Sequence, residues 1–260
     1  MKPIVRRGLG LLVILSFSIA GLISSKMGEK QRRGRTCQGK ANLEVVVSDS
    51  LERHFVTRQD IEEWLDKEYR AYAGLPLDSV DLHRIEGIIA GHSAVRECQA
   101  WLTDDGILHV RLSQREPVVR FDDGRNGCYA DAEGFIFPLQ ARGEADVPLI
   151  SGNIPLKWKR GFKGFPEEEE ERTWLMQAVA LVHAMKGTPW EQTIGQIRAD
   201  GNGDLVLLPR EGKEAFIFGP PVGIDEKFRL LSAYYQRVAP LQKGYKTVDL
   251  RYSGQLVCKK

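Results

Sequence analysis

The sequence predicts an α+β protein: a single-pass transmembrane helix, a small domain of order strand, helix, helix, strand, strand, and then a mostly β domain with two flanking helices. Three observations carry this. The uncharged run from Gly8 to Ser25 has no second counterpart in the 260-residue chain. Helical and alternating apolar patterns succeed one another between Leu43 and Gln114. Beyond Pro117 short apolar runs punctuated by Gly and Pro dominate, interrupted twice by helical periodicity.

As a helix, residues 8–25 would rise ~27 Å, close to the ~30 Å hydrocarbon core of a bilayer. Lys2, Arg6 and Arg7 supply a basic start and Ser18-Ile19-Ala20 a weak small-x-small site, which admits a cleaved signal peptide. The apolar run continues through Gly21-Leu22-Ile23, however, beyond the usual signal core of ~7–15 residues, so an uncleaved anchor is the favoured reading. Residues 1–7 then form a short tail, 8–25 the span and 26–42 a basic linker. The linker's Lys26, Lys30, Arg32, Arg33, Arg35 and Lys40 outnumber the basic residues before the span. Taken alone, that asymmetry would place the large domain inside, but long domains translocate regardless of flanking charge, so orientation stays open on this ground.

The small domain spans 43–116. Leu43 to Val47 reads as a β-branched strand. Thr57 with Asp60 forms a capping-box pattern, Val56 can staple onto Ile61, and Ile61, Leu65 and Tyr69 recur on one helical face. Asp78 is expected to cap a second helix with Leu82, Ile85 and Ile89 on one stripe. Ala94 to Leu102 and Ile107 to Gln114 are extended, joined by a tight hairpin at Asp105-Gly106.

The larger domain spans 117–260. Pro117 lacks a backbone donor and suits an edge or a junction better than a central strand. Strands are expected at Gly127–Asp131, Phe135–Leu139, Val147–Ile150, Ile194–Ala199, Leu205–Leu208, Ala215–Phe218, Lys246–Tyr252 and Gln255–Cys258. Pro166 and the run Glu167 to Glu171 open one helix, with Leu175, Val179, Val182 and Met185 on one side. Carboxylates in a first helical turn face the positive end of the macrodipole, so this run needs no metal. A second helix from Asp225 presents Phe228, Leu231, Tyr235 and Val238 and stops at Pro240. Asp200, Asn202, Asp204 and Glu211 superficially match a calcium loop, but Leu205 stands where Gly is required and no helix precedes, so an Asn-Gly turn is expected.

Composition narrows the function. The 37 basic and 35 acidic residues give a net charge of +2, with the basic excess near the span, so no nucleic-acid-binding face is indicated. Cys37, Cys98, Cys128 and Cys258 contain no CxxC pair, which argues against a zinc or thioredoxin-like site and leaves three full disulfide pairings open. The five histidines lack metal-ligand spacing, and there is no G-x-S-x-G, H-E-x-x-H or phosphate-binding Gly loop. Asp122 and Asp123 sit beside Gly124 and are explained by turn chemistry. No catalytic, cofactor-binding or metal residue is therefore assigned, and the odds shift toward binding.

The strand-helix-helix-strand-strand order, followed by Leu112-Ser113-Gln114-Arg115-Glu116-Pro117-Val118-Val119-Arg120-Phe121, resembles the POTRA domain of the FtsQ/DivIB family of bacterial division proteins. Asp131-Ala132-Glu133-Gly134-Phe135-Ile136-Phe137-Pro138-Leu139, Pro148-Leu149-Ile150-Ser151-Gly152 and Val248-Asp249-Leu250-Arg251-Tyr252 resemble further motifs of that family, in its order. The resemblance implies a cytoplasmic N-terminus, one inner-membrane span, and a periplasmic POTRA plus β domain that binds FtsB and FtsL at the division septum, links early and late division proteins and helps control septal peptidoglycan synthesis. It also implies a partner surface beside the last strands, here Tyr252, Ser253, Gly254 and Leu256. The alternative for Tyr252 is a core or edge aromatic of the last strand. Two other readings are a secreted periplasmic enzyme without a recognisable motif, and a POTRA component of protein secretion. The latter would be expected to carry several repeats or a membrane barrel, and neither is seen.

Overall fold

The capping box at Thr57 forms as its residue types require. In the computed structural model, which describes residues 35–48, 55–242 and 244–260, Thr57 Oγ1 accepts from Asp60 N, and Asp60 Oδ2 accepts from Thr57 N at 2.8 Å. The helix it starts, α1 (Arg58–Tyr69), buries Ile61, Leu65 and Tyr69. The span read at 8–25 and the tail 1–7 lie outside the described residues. Among those that are described, no helix is long and apolar enough to cross a membrane.

The chain divides into two units, whose boundary falls between Gln114 and Arg115. The first contains β1 (Leu43–Val47), α1, α2 (Leu82–Ala90), β2 (Val95–Leu102) and β3 (Leu108–Gln114). Its sheet has the order β1-β3-β2, with β1 parallel and β2 antiparallel to β3. Leu108, Val110 and Leu112 alternate inward along β3, and Ile85 and Ile89 of α2 are likewise fully buried. The cap of α2 is corrected from Asp78 to Asp81, whose Oδ1 accepts from Arg84 N at 2.9 Å. Leu77 and Val80 are both buried, so the chain makes a 3-10 turn at Leu77–Ser79 before the helix can start. The β2–β3 hairpin closes through Thr103 and Gly106. Gly106 has φ +87°, and a Cβ there would lie 2.4 Å from the Thr36 carbonyl oxygen, so both conformation and space require glycine.

That contact also corrects the expected linker. From Arg35 onward the chain is packed: Cys37 is buried, its N–H donates to Leu75 O at 2.9 Å, Gln38 N donates to Gly106 O at 3.0 Å, and Gly39–Asn42 form a 3-10 turn leading into β1. An apolar thiol with its backbone paired on both sides holds residues 35–42 to the first unit, and the rest of 26–42 lies outside the described residues.

The second unit is built on one mixed nine-stranded sheet. Its strands are β4 (Pro117–Asp122), β5 (Gly127–Asp131), β6 (Ile136–Pro138), β7 (Leu149–Gly152), β8 (Ile194–Ala199), β9 (Leu205–Pro209), β10 (Ala215–Gly219), β11 (Thr247–Asp249) and β12 (Val257–Lys259). They lie in the order β12-β11-β10-β9-β8-β7-β4-β5-β6, with β4/β7, β7/β8 and β10/β11 parallel. Pro117 opens β4, an interior strand and not an edge. A missing donor is tolerated at a strand's first residue, and here that residue lies just past the boundary between units.

Helix α3 (Glu169–Met185) buries Trp174, Leu175, Ala178, Val179, Leu181, Val182 and Met185 in the core. Its acidic first turn is largely exposed, and Glu171 engages Lys157 at 3.3 Å. A short helix absent from the sequence reading, α4 (Pro189–Thr193), follows with Thr188 as its cap. Helix α5 (Ile224–Ala233) runs into a π turn at Tyr234–Val238. The expected stripe continued from Leu231 to Tyr235. The wider turn instead brings both Tyr234 and Tyr235 onto Phe216, at 5.5 and 5.7 Å between ring centroids, and Tyr234 is the more buried. Between β8 and β9, Asp200 Oδ1 accepts from the N–H of Asn202 and of Asp204 at 2.9 and 3.0 Å, committing that carboxylate to a turn. None of the four cysteines is in a disulfide.

Candidate partner-binding surface

The two ends of the large sheet are finished differently. At β6, Ile136 exchanges both backbone hydrogen bonds with Gly164, at 2.9 Å each, so a loop covers that edge. At the other end β12 pairs with β11 through Thr247↔Lys259, Val248↔Cys258 and Asp249↔Val257, and no described strand lies beyond it. An uncovered strand edge offers unpaired N–H and C=O groups to another extended chain.

The segment joining β11 to β12 holds the four residues implied by resemblance, and it is a turn, not strand. Both strands are shorter than expected because side chains pin the segment elsewhere. Asp249, almost fully buried, accepts from Arg251 Nε and Nη2 at 3.0 and 2.7 Å and from Arg251 N at 3.1 Å, folding the chain back just after β11. Those bonds hold the Asp249 carboxyl below the usual carboxylate range and push the Arg251 guanidinium upward. Gly219, at φ +76°, leaves room for this fold, since a Cβ there would lie 2.5 Å from Arg251 Cγ. Arg251 Nη1 also approaches Asp204 Oδ2 at 3.5 Å.

Glu226, in the first turn of α5, secures the next two residues. It accepts from Ser253 Oγ and Gly254 N, each at 2.8 Å, and these bonds lower its pKa. Tyr252 is left 52% exposed between the two anchors, neither core nor edge aromatic. Leu256 is half-buried against the hydrophobic core. The implied residues therefore lie on one turn with three situations: Tyr252 presented, Ser253 and Gly254 held internally, and Leu256 partly a packing residue.

A cavity of about 210 Å³ adjoins Tyr252 and Ser253, lined also by Val222, Leu230, Leu250 and Lys227. Lys227 is 8% exposed, donates from Nζ to Pro220 O at 2.7 Å and lies 4.6 Å from the Phe218 ring centroid; burial lowers its pKa. A larger cleft of about 910 Å³ lies between α3 and the starts of β4, β7 and β8, and its lining shares no residue with the Tyr252 turn. Among the described residues no group of three or more His, Cys, Asp or Glu could hold a metal ion.

Sequence reasoning missed Glu226, Asp249 and Arg251 as organisers of this surface. The Asp-x-Arg spacing at 249–251 was a local signal for the second pair. Glu226 gave none, being far from Ser253 along the chain.

Comparison with known families places residues 116–259 with the family described as FtsQ/DivIB, C-terminal related, and residues 36–113 with the POTRA-like domain. No curated protein matches the chain.

Proposed function

The chain belongs to the FtsQ/DivIB family, whose matched region covers over half of its length, and on that premise we propose that it is a non-enzymatic scaffold of the bacterial division machinery. The family points to a role in cell division. In the finer reading the chain is held in the inner membrane by residues 8–25, with residues 1–7 cytoplasmic and both folded units periplasmic at the septum. There it binds FtsB and FtsL and links early to late division proteins, helping to control septal peptidoglycan synthesis. The observation that carries the binding reading is the uncovered edge of β12 beside the exposed Tyr252. A partner segment added to this edge would gain main-chain hydrogen bonds, with Tyr252 and the adjoining cavity supplying side-chain selectivity.

The test is a quantitative pull-down of FtsB with FtsL by the full chain. Tyr252→Ala is expected to weaken capture about tenfold, the scale of one exposed aromatic anchor, while the thermal unfolding midpoint stays unchanged. Leu256→Asp is a poorer probe, because Leu256 also packs on the core. Undiminished capture by Tyr252→Ala would remove this turn from the interface. A C-terminal reporter active only in the periplasm tests the orientation, and a cytoplasmic result would sink the division reading.

A further inference from the structure

We propose that the segment added to β12 is acidic at the end that lies beside Lys246, Lys259 and Lys260, an inference that rests on the strand-addition reading above. Parallel pairing of β10 with β11, and antiparallel pairing of β11 with β12, bring the starts of β10 and β11 and the end of β12 to one corner of the sheet. Ala215 N donates to Lys246 O and Lys246 N to Lys259 O, both at 2.8 Å, so three chain segments meet there. Lys213, Lys246, Lys259 and Lys260 are all exposed at this corner, and none of them enters a salt bridge among the described residues. The nearby carboxylates do not balance all four: Asp249, which lies within electrostatic reach of Lys259, has both its oxygens bonded to Arg251. Glu214 turns back to accept from Lys213 N at 3.0 Å, and Glu211 is the other acidic residue of that hairpin.

Lysines on an edge strand have another use, since they discourage indiscriminate pairing with other chains. That role accounts for Lys259. It does not account for Lys246 and Lys213, which lead into the second and third strands from the edge. Clustered cations that form no salt bridge among the described residues, at one end of an open edge, instead match a strand carrying Asp or Glu at the corresponding end. Such a pairing steers encounter and fixes the direction in which the incoming strand lies.

The test follows association of the full chain with the FtsB and FtsL pair from about 50 to about 500 mM NaCl, the range over which exposed charges become screened. The variant Lys246→Gln/Lys259→Gln/Lys260→Gln is expected to associate about tenfold more slowly at low salt and to lose most of the salt dependence, with an unchanged circular dichroism spectrum. The matching triple Lys→Arg variant should retain wild-type rates. Unchanged rates in the Gln variant, with or without increased self-association by light scattering, would show the lysines to be guards of the edge and overturn the proposal. Failure of every variant and of the wild type to associate would instead sink the strand-addition reading, and the acidic partner with it. Binding that Tyr252→Ala weakens but the Gln variant leaves intact would overturn this inference alone.

Discussion

Asp249 shows how much of the candidate surface depends on a single side chain. Its carboxylate is almost out of contact with solvent and receives three hydrogen bonds from Arg251, which set where β11 stops and Tyr252 begins. Asp249→Ala is expected to lower the unfolding free energy by about 2 kcal/mol, the scale of hydrogen bonds to a charged group, as read by urea denaturation at neutral pH. The pH dependence follows from the direction of its shift. The folded carboxyl has a pKa below the unfolded value of about 3.9, so near and below that pH the unfolded chain binds the extra proton. Its contribution is complete above about pH 4 and is lost as pH falls through the lowered folded pKa. The difference between wild type and Asp249→Ala should therefore shrink on acidification below about pH 4 and stay constant from pH 5 to 7. A difference that grew on acidification would contradict the assignment.

At the scale of elements, the cap of α1 is the plainest case of a local rule. Thr57→Ala removes the hydroxyl acceptor for Asp60 N, and an expected loss of about 1 kcal/mol should appear as a lower midpoint in thermal unfolding. This box was legible in the sequence, as were the buried trio Ile61, Leu65 and Tyr69 and the strand bounds of β1, β5 and β8, because each depends on residues a few positions apart. What was illegible depends on distant partners. Asp78 and Asp81 are equally good caps by type, and burial of Leu77 and Val80 decided between them. A π turn leaves no periodic signature, so Tyr234 went unassigned beside Tyr235. The candidate surface was half legible: a motif located Tyr252, but the clamp from Glu226 and the place of β12 at the sheet edge arise only once the nine strands have found their order.

Across the whole molecule the four cysteines share one condition despite lying on unrelated elements. All are free, and burial raises each thiol pKa, with Cys98 and Cys128 pushed up to about 12. Because the thiolate is the reactive form, little of it exists at neutral pH in the folded chain. A chromogenic disulfide reagent at pH 8 is expected to react slowly with the native protein and to titrate four thiols promptly in guanidinium. Rapid native reaction of even one equivalent would show that the fold does not protect them.

Cys258 gives this protection a second use. It sits in the middle of β12, opposite Val248, with its sulfur packed partly against the core. Cys258 is only partly covered in the folded chain, so the rate of its alkylation is a clock for how well the sheet margin is covered. Anything that seals the margin slows the clock. The protein thus carries its own footprinting probe, placed by its native sequence, through which occupancy of the edge can be timed without a tag or an introduced label.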